Sequence, residues 1–120
     1  MTELRNLISI HDLSREDIDF ILTNAAAMES LARDRSDKLK GKIMAVLFFE
    51  ASTRTRLSFE SAMLRLGGNI LGFAEVTSTS AGMKGETLAD TIRTISKYAD
   101  VIVIRHPLDG SARVAAEFSD

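Results

Sequence analysis

Ser52-Thr53-Arg54-Thr55-Arg56 packs three hydroxyls and two guanidiniums into five consecutive residues. A guanidinium presents a planar fork of donors that matches phosphate or carboxylate oxygens, and hydroxyls add further donors at short range. Ser52 is placed to cap a helix, which puts both arginines in that helix's first turn. A helix N-terminus carries about half a positive charge, so each cation there is disfavoured by about 0.3–1 kcal/mol. Its free backbone N–H groups point the same way. The combination makes sense where an anion binds. The plain alternative is a cap with solvent-facing arginines, but the position directly after an apolar run, Ile43 to Phe49, favours the anion site.

Two other segments carry similar chemistry. Arg105 closes a second apolar run, Val101 to Ile104, and there it needs an anionic partner or open water. Glu86 and Asp90 are the candidate partners for a purely structural salt bridge. His106, before Pro107, reads as structural, and His11 has no assigned role. Ala74 to Gly85 holds twelve residues rich in Ser, Thr and Gly, against about 2–6 for an ordinary strand-to-helix loop. It is either a plain surface loop or a lid that brings Ser80 and Lys84 to a ligand, with Gly82 and Gly85 allowing it to move.

The elements that must hold these residues alternate along the chain. Ser14-Arg15-Glu16-Asp17 reads as a capping box, and Ile18, Ile21, Leu22, Ala25, Met28 and Leu31 recur at helical spacing behind it. A helix over 15–33 is predicted. Ile43 to Phe49 is apolar on both faces, as in a parallel strand covered by helices. The helix after Ser52 is expected to bury Leu57, Phe59, Ala62, Met63 and Leu66 and to stop at Gly67-Gly68. Ile70 to Phe73 is a short second strand. Leu88, Ile92, Ile95 and Tyr98 mark a third helix, Val101 to Ile104 a β-branched third strand, and 111–118 a last helix. This order implies α/β architecture: a three-layer, doubly wound parallel sheet of Rossmann-like type with right-handed crossovers. Such a last helix ordinarily leads to a fourth strand, so the domain is expected to be incomplete. Ligands of open α/β sheets bind beyond the carboxyl ends of the strands, where the three polar segments lie.

Composition narrows the class. The 120 residues are 45% hydrophobic and 27% charged with a net charge of −2, which excludes a disordered chain. Without cysteine there is no disulfide scaffold and no thiolate zinc site, and two histidines are a thin basis for any metal. The balanced charge argues against nucleic-acid binding by bulk electrostatics. No apolar run approaches a membrane span. MTELRNLISI lacks the features of a secretory signal, so the cytoplasm is the expected location. No G-x-G-x-x-G follows a strand and no Walker-type loop is present. The residues alone give an α/β domain with a basic, hydroxyl-rich anion site.

Phe48-Phe49-Glu50-Ala51-Ser52-Thr53-Arg54-Thr55-Arg56-Leu57-Ser58-Phe59-Glu60 resembles the carbamoyl-phosphate signature of the aspartate and ornithine carbamoyltransferases. The resemblance continues through Lys84-Gly85-Glu86-Thr87-Leu88-Ala89-Asp90-Thr91 and Arg105-His106-Pro107, and covers nearly the whole chain. Ornithine enzymes usually carry a lysine where Glu50-Ala51 stands and lack the Ser80 to Lys84 pattern. The aspartate branch is therefore the nearer one.

The resemblance implies that residues 1–120 are most of a carbamoyl-phosphate-binding domain, without the second domain that binds the amino acid. Ser52, Thr53, Arg54 and Thr55 are expected on the phosphate of carbamoyl phosphate. Arg54 would stabilise the leaving phosphate, while Thr55 and Arg105 polarise the carbonyl oxygen. Ser80 and Lys84, on loop 74–85, would reach a neighbouring subunit of a homotrimer, touching phosphate and, through Lys84, L-aspartate. The implied reaction is direct attack of the aspartate amine to give N-carbamoyl-L-aspartate and phosphate, a step of pyrimidine synthesis, with no metal and no cofactor. Regulatory subunits are a further implied partner. Alone, the 120-residue chain is expected to be inactive. Two other readings stay open: a transcarbamoylase for ornithine or another amine, and a non-catalytic anion-binding or assembly module.

Overall fold

The central strand dictates the architecture. Ile43–Phe48 forms β1, and Met44 through Phe48 are each at most 5% exposed. A strand buried on both faces must have layers on both sides. The computed structural model describes residues 4–74 and 87–120. Among these, α1 spans Arg15–Arg33, α2 Arg54–Arg65, β2 Asn69–Phe73, α3 Leu88–Ser96, β3 Val101–Arg105 and α4 Ser111–Phe118. The sheet order is β2-β1-β3 and both pairings are parallel. Alternation sends Met44, Val46 and Phe48 to one face, where they meet Met63 of α2. Ala45 and Leu47 face the other way, against Ile92 of α3 and Ala115 of α4. The expected three-layer α/β sheet is what forms.

Local chemistry sets the ends of the elements. Ser14 Oγ accepts the Asp17 N–H at 3.0 Å, and the Asp17 carboxylate accepts the Ser14 N–H at 3.0 Å. This is the reciprocal capping box read from the sequence. The backbone and hydroxyl donors of Ser14 hold the Asp17 carboxyl below its ordinary range. At the far end of α2, Gly67 takes φ +90°. Its N–H donates to the Leu64 carbonyl at 3.1 Å and the Gly68 N–H to the Met63 carbonyl at 3.0 Å, a paired C-terminal stop. The Asp100 carboxylate accepts the Ile43 N–H at 2.9 Å, tying the starts of β1 and β3.

Two helices differ from expectation in which face they bury. On α2, Met63 is buried, but Leu57 is 48% and Phe59 42% exposed, and Ala62 also faces solvent. The line on the sheet side is Arg56, Glu60 and Met63, at spacing i, i+4, i+7. An apolar stripe predicts the inner face only when the inner neighbours are all apolar, and here an ion pair occupies two of the inner positions. On α1, Ile18, Ile21 and Met28 are half-buried while Leu22 is 62% exposed. Leu22 borders an apolar groove of about 370 Å³ shared with Leu7, Ile8, Ile10 and Leu13. No described helix is long and apolar enough to cross a membrane.

Candidate functional site

Parallel register brings the polar segments together. Leu47 lies opposite both Phe73 and Ile104, and Phe48 opposite Arg105. The chain leaving β1 therefore emerges between the ends of β2 and β3, with residues 49–53 leading into α2. Thr53, not Ser52, occupies the N-cap of α2, at φ −100° and ψ −58°, and no side chain caps the helix. This corrects the expectation for Ser52. With no side-chain cap from the described residues, the first N–H groups of α2 are open to a ligand as far as these residues go. Among the described residues, the Ser52, Thr53 and Thr55 hydroxyls make no hydrogen bond and Arg54 has no carboxylate partner.

The two arginines of the motif have different fates. Arg56 Nη1 reaches both Glu60 carboxylate oxygens at 3.3 Å, with side chains 29% and 19% exposed. Arg56 Nε is buried without a hydrogen-bond partner among the described residues. Arg56 is thus committed to the inner face of α2, and the expectation of two anion-binding guanidiniums reduces to Arg54.

Arg105 ends β3, and its Nε donates to Glu50 Oε1 at 2.7 Å, with side chains 46% and 37% exposed. The partner is neither of those expected. Asp90 pairs with Arg93 at 3.0 Å, while Glu86 lies outside the described residues. Glu50 is the site residue that inspection of spacing missed. The pairing register carried the signal: a carboxylate two residues beyond Phe48 must lie beside the end of β3. Ser80, Lys84 and almost all of loop 74–85 also lie outside the described residues.

The site so defined is, among the described residues, a helix end without a side-chain cap and with an arginine that has no carboxylate partner, at the carboxyl edge of a parallel sheet. A second arginine on the adjacent strand is held by a half-exposed carboxylate. That arrangement has the chemistry to suit a small phosphorylated anion, in an α/β domain. Residues 5–120 match the family model described as "Aspartate/ornithine carbamoyltransferase, carbamoyl-P binding domain", and the chain belongs to that family. It is 63% identical over 117 residues to an aspartate carbamoyltransferase catalytic subunit of Methanosarcina barkeri, covering 96% of this chain and 38% of the relative. A Thermococcus gammatolerans catalytic subunit is 57% identical over 118 residues, covering 97% and 38%. The chain thus spans under two-fifths of the length of these relatives.

Solved structures agree. The catalytic subunit of M. jannaschii aspartate transcarbamoylase superposes with a TM-score of 0.90 at 50% identity, over 98% of this chain and 40% of that one. Aspartate transcarbamoylase from Trypanosoma cruzi, in complex with carbamoyl phosphate and aspartate, gives 0.84 at 42% identity, over 96% and 38%.

Proposed function

We propose that this chain is the carbamoyl-phosphate-binding part of an aspartate carbamoyltransferase. The observation that carries the reading is that, among the described residues, Arg54 has no carboxylate partner and the Ser52, Thr53 and Thr55 hydroxyls beside it at the start of α2 make no hydrogen bond. Family membership and the T. cruzi relative's complex with carbamoyl phosphate and aspartate support the choice of anion.

In this reading Ser52, Thr53, Arg54 and Thr55 hold the phosphate, with α2 N–H groups as added donors. Thr55 and Arg105 donate to the carbonyl oxygen. The amine of L-aspartate, bound by the rest of the full-length protein, attacks the carbonyl carbon. Negative charge collects on the carbonyl oxygen, then the C–O bond to phosphate breaks as the amine's proton passes to the departing phosphate. Fixed cations and dipoles favour both the oxyanion and the departing phosphate. Arg105 must leave Glu50 to take part, and an exposed pair of this kind costs about 0–1 kcal/mol to open. Ser80 and Lys84 act from a neighbouring subunit of a homotrimer, Lys84 also on the L-aspartate carboxylate, and the protein works in the cytoplasm.

Calorimetric titration with carbamoyl phosphate tests the reading. Arg54→Ala should weaken binding about 10–100-fold, the loss of one charge-assisted contact. Equal affinity in parent and variant would overturn it. With full-length protein, N-(phosphonacetyl)-L-aspartic acid, which occupies another T. cruzi structure, should bind more tightly than carbamoyl phosphate. Preference for an ornithine-based analogue would move the protein to the other branch.

A further inference from the structure

Three rings lie in a row across the carboxyl ends of the three strands. Phe49 follows β1, Phe73 ends β2 and His106 follows β3. Phe49 meets Phe73 edge to face with centroids 5.0 Å apart, and meets His106 at 4.7 Å with the rings tilted by 45°. The sheet's alternation puts them there: Phe49 continues the face of Ala45 and Leu47, Phe73 that of Leu71, and His106 that of Ile102 and Ile104. The backbone joins the same two ends, since the Phe49 N–H donates to the Arg105 carbonyl at 2.9 Å.

His106 is fixed from its other side as well. The Leu108 N–H donates to Nδ1 at 3.1 Å, so this nitrogen carries a lone pair and the ring proton sits on Nε2. The Ser111 hydroxyl lies 2.9 Å from the same Nδ1, within hydrogen-bond distance. Ser111 is the first residue of α4, whose N-cap, Gly110, has no side chain to offer. The imidazole therefore fastens the turn after β3 to the start of α4 and packs, tilted, against Phe49.

We propose that Phe49 and His106 are positioning residues that set the distance between the two halves of the anion site. One half, residues 52–55, hangs from the chain just beyond Phe49. The other, Arg105, is the residue before His106. Carbamoyl phosphate, held by its phosphate at one half and by its carbonyl oxygen at the other, needs them at one fixed separation, and close-packed rings transmit such a constraint where flexible side chains do not. The role as positioning for carbamoyl phosphate rests on the function proposed above, while the coupling of the strand ends stands apart from it.

Four variants of this chain separate the contributions. His106→Asn keeps an acceptor near Nδ1 and loses the ring. His106→Phe keeps the ring and loses the acceptor. Phe49→Leu removes the hub. Val46→Ala lowers stability from the core without touching the row. Amide hydrogen exchange is read at Phe49, at the site end of the sheet, and at Asn69, whose N–H is bonded to the Lys42 carbonyl at the opposite end. Phe49→Leu and His106→Asn should speed exchange of the residue-49 amide about tenfold more than that of Asn69. Both should weaken carbamoyl phosphate binding more than Val46→Ala does, and His106→Phe should fall between them and the parent. Equal acceleration at residues 49 and 69 would overturn the coupling, whether or not the parent binds carbamoyl phosphate. Selective acceleration with unchanged affinity would overturn the positioning role. A parent that binds no carbamoyl phosphate would sink the proposed function and leave exchange to judge the coupling alone.

Discussion

At the scale of single residues, the site turns on which cations are already spoken for. Arg54 and Arg56 are two positions apart and identical in type, yet only Arg56 has a partner among the described residues, Glu60. Phosphate should therefore raise the melting temperature of the parent and of Arg56→Ala, while Arg54→Ala should gain nothing, since stabilisation follows RT ln(1 + [L]/Kd). Thermal melts with and without phosphate check this. Loss of the shift in Arg56→Ala alone would reverse the assignment. Glu50 competes with a bound anion for Arg105 at 2.7 Å. Glu50→Gln should tighten carbamoyl phosphate binding by the isolated chain about two- to fivefold, within the range of a half-exposed ion pair, as read by calorimetry. The motif was legible in the sequence because strand, turn and helix start are local features. The partners of its charges were not, because Glu50 reaches Arg105 only through the register of strands 55 residues apart in sequence.

At the scale of elements, boundaries were more legible than faces. The cap of α1, Ser14 with Asp17, is local and was read from the sequence, while Thr87, whose hydroxyl accepts the Asp90 N–H at 3.2 Å at the start of α3, was not singled out there. The inner face of α2 was misread because an ion pair, Arg56 with Glu60, stands where apolar residues were expected on the helix stripe that also carries buried Met63. Asp17 gives the element scale its pH dependence. Its carboxyl is held below the ordinary range by Ser14, so it adds stability above its unfolded value, about 4. That contribution disappears as the pH falls through the lower folded value. Asp17→Asn should flatten the acid limb of the stability curve measured by urea unfolding between neutral pH and about pH 3. An unchanged limb would contradict the cap's role. In the core, Leu47 is fully buried between β1's neighbours and Ile92. Leu47→Ala should cost about 2–5 kcal/mol in the same assay.

At the scale of the whole molecule, the proposed function gives the chain one substrate's site, and the chain spans 38% of its M. barkeri relative. Bringing two reactants into register contributes about 7–11 kcal/mol in favourable cases, and the isolated 120-residue chain should show no carbamoylation of aspartate. Robust turnover by the purified chain would overturn that division of labour. In full-length protein, Lys84→Ala and Arg54→Ala variants should each be nearly inactive, and mixing them should restore activity if loop 74–85 serves a neighbour's site. No recovery on mixing would assign both residues to one chain. The three-layer sheet was legible from alternating apolar patterns, and the uncovered apolar faces of α1 and α2 were not, because periodicity states which residues are apolar and not what covers them. The most direct test of the account is an amide-resolved NMR titration of this chain with carbamoyl phosphate. The largest shifts are predicted at Ser52 to Arg56 and at Arg105, saturating together with one dissociation constant. Shifts centred instead on the cationic turn at Lys38, Lys40 and Lys42, at the opposite end of the sheet, would contradict it.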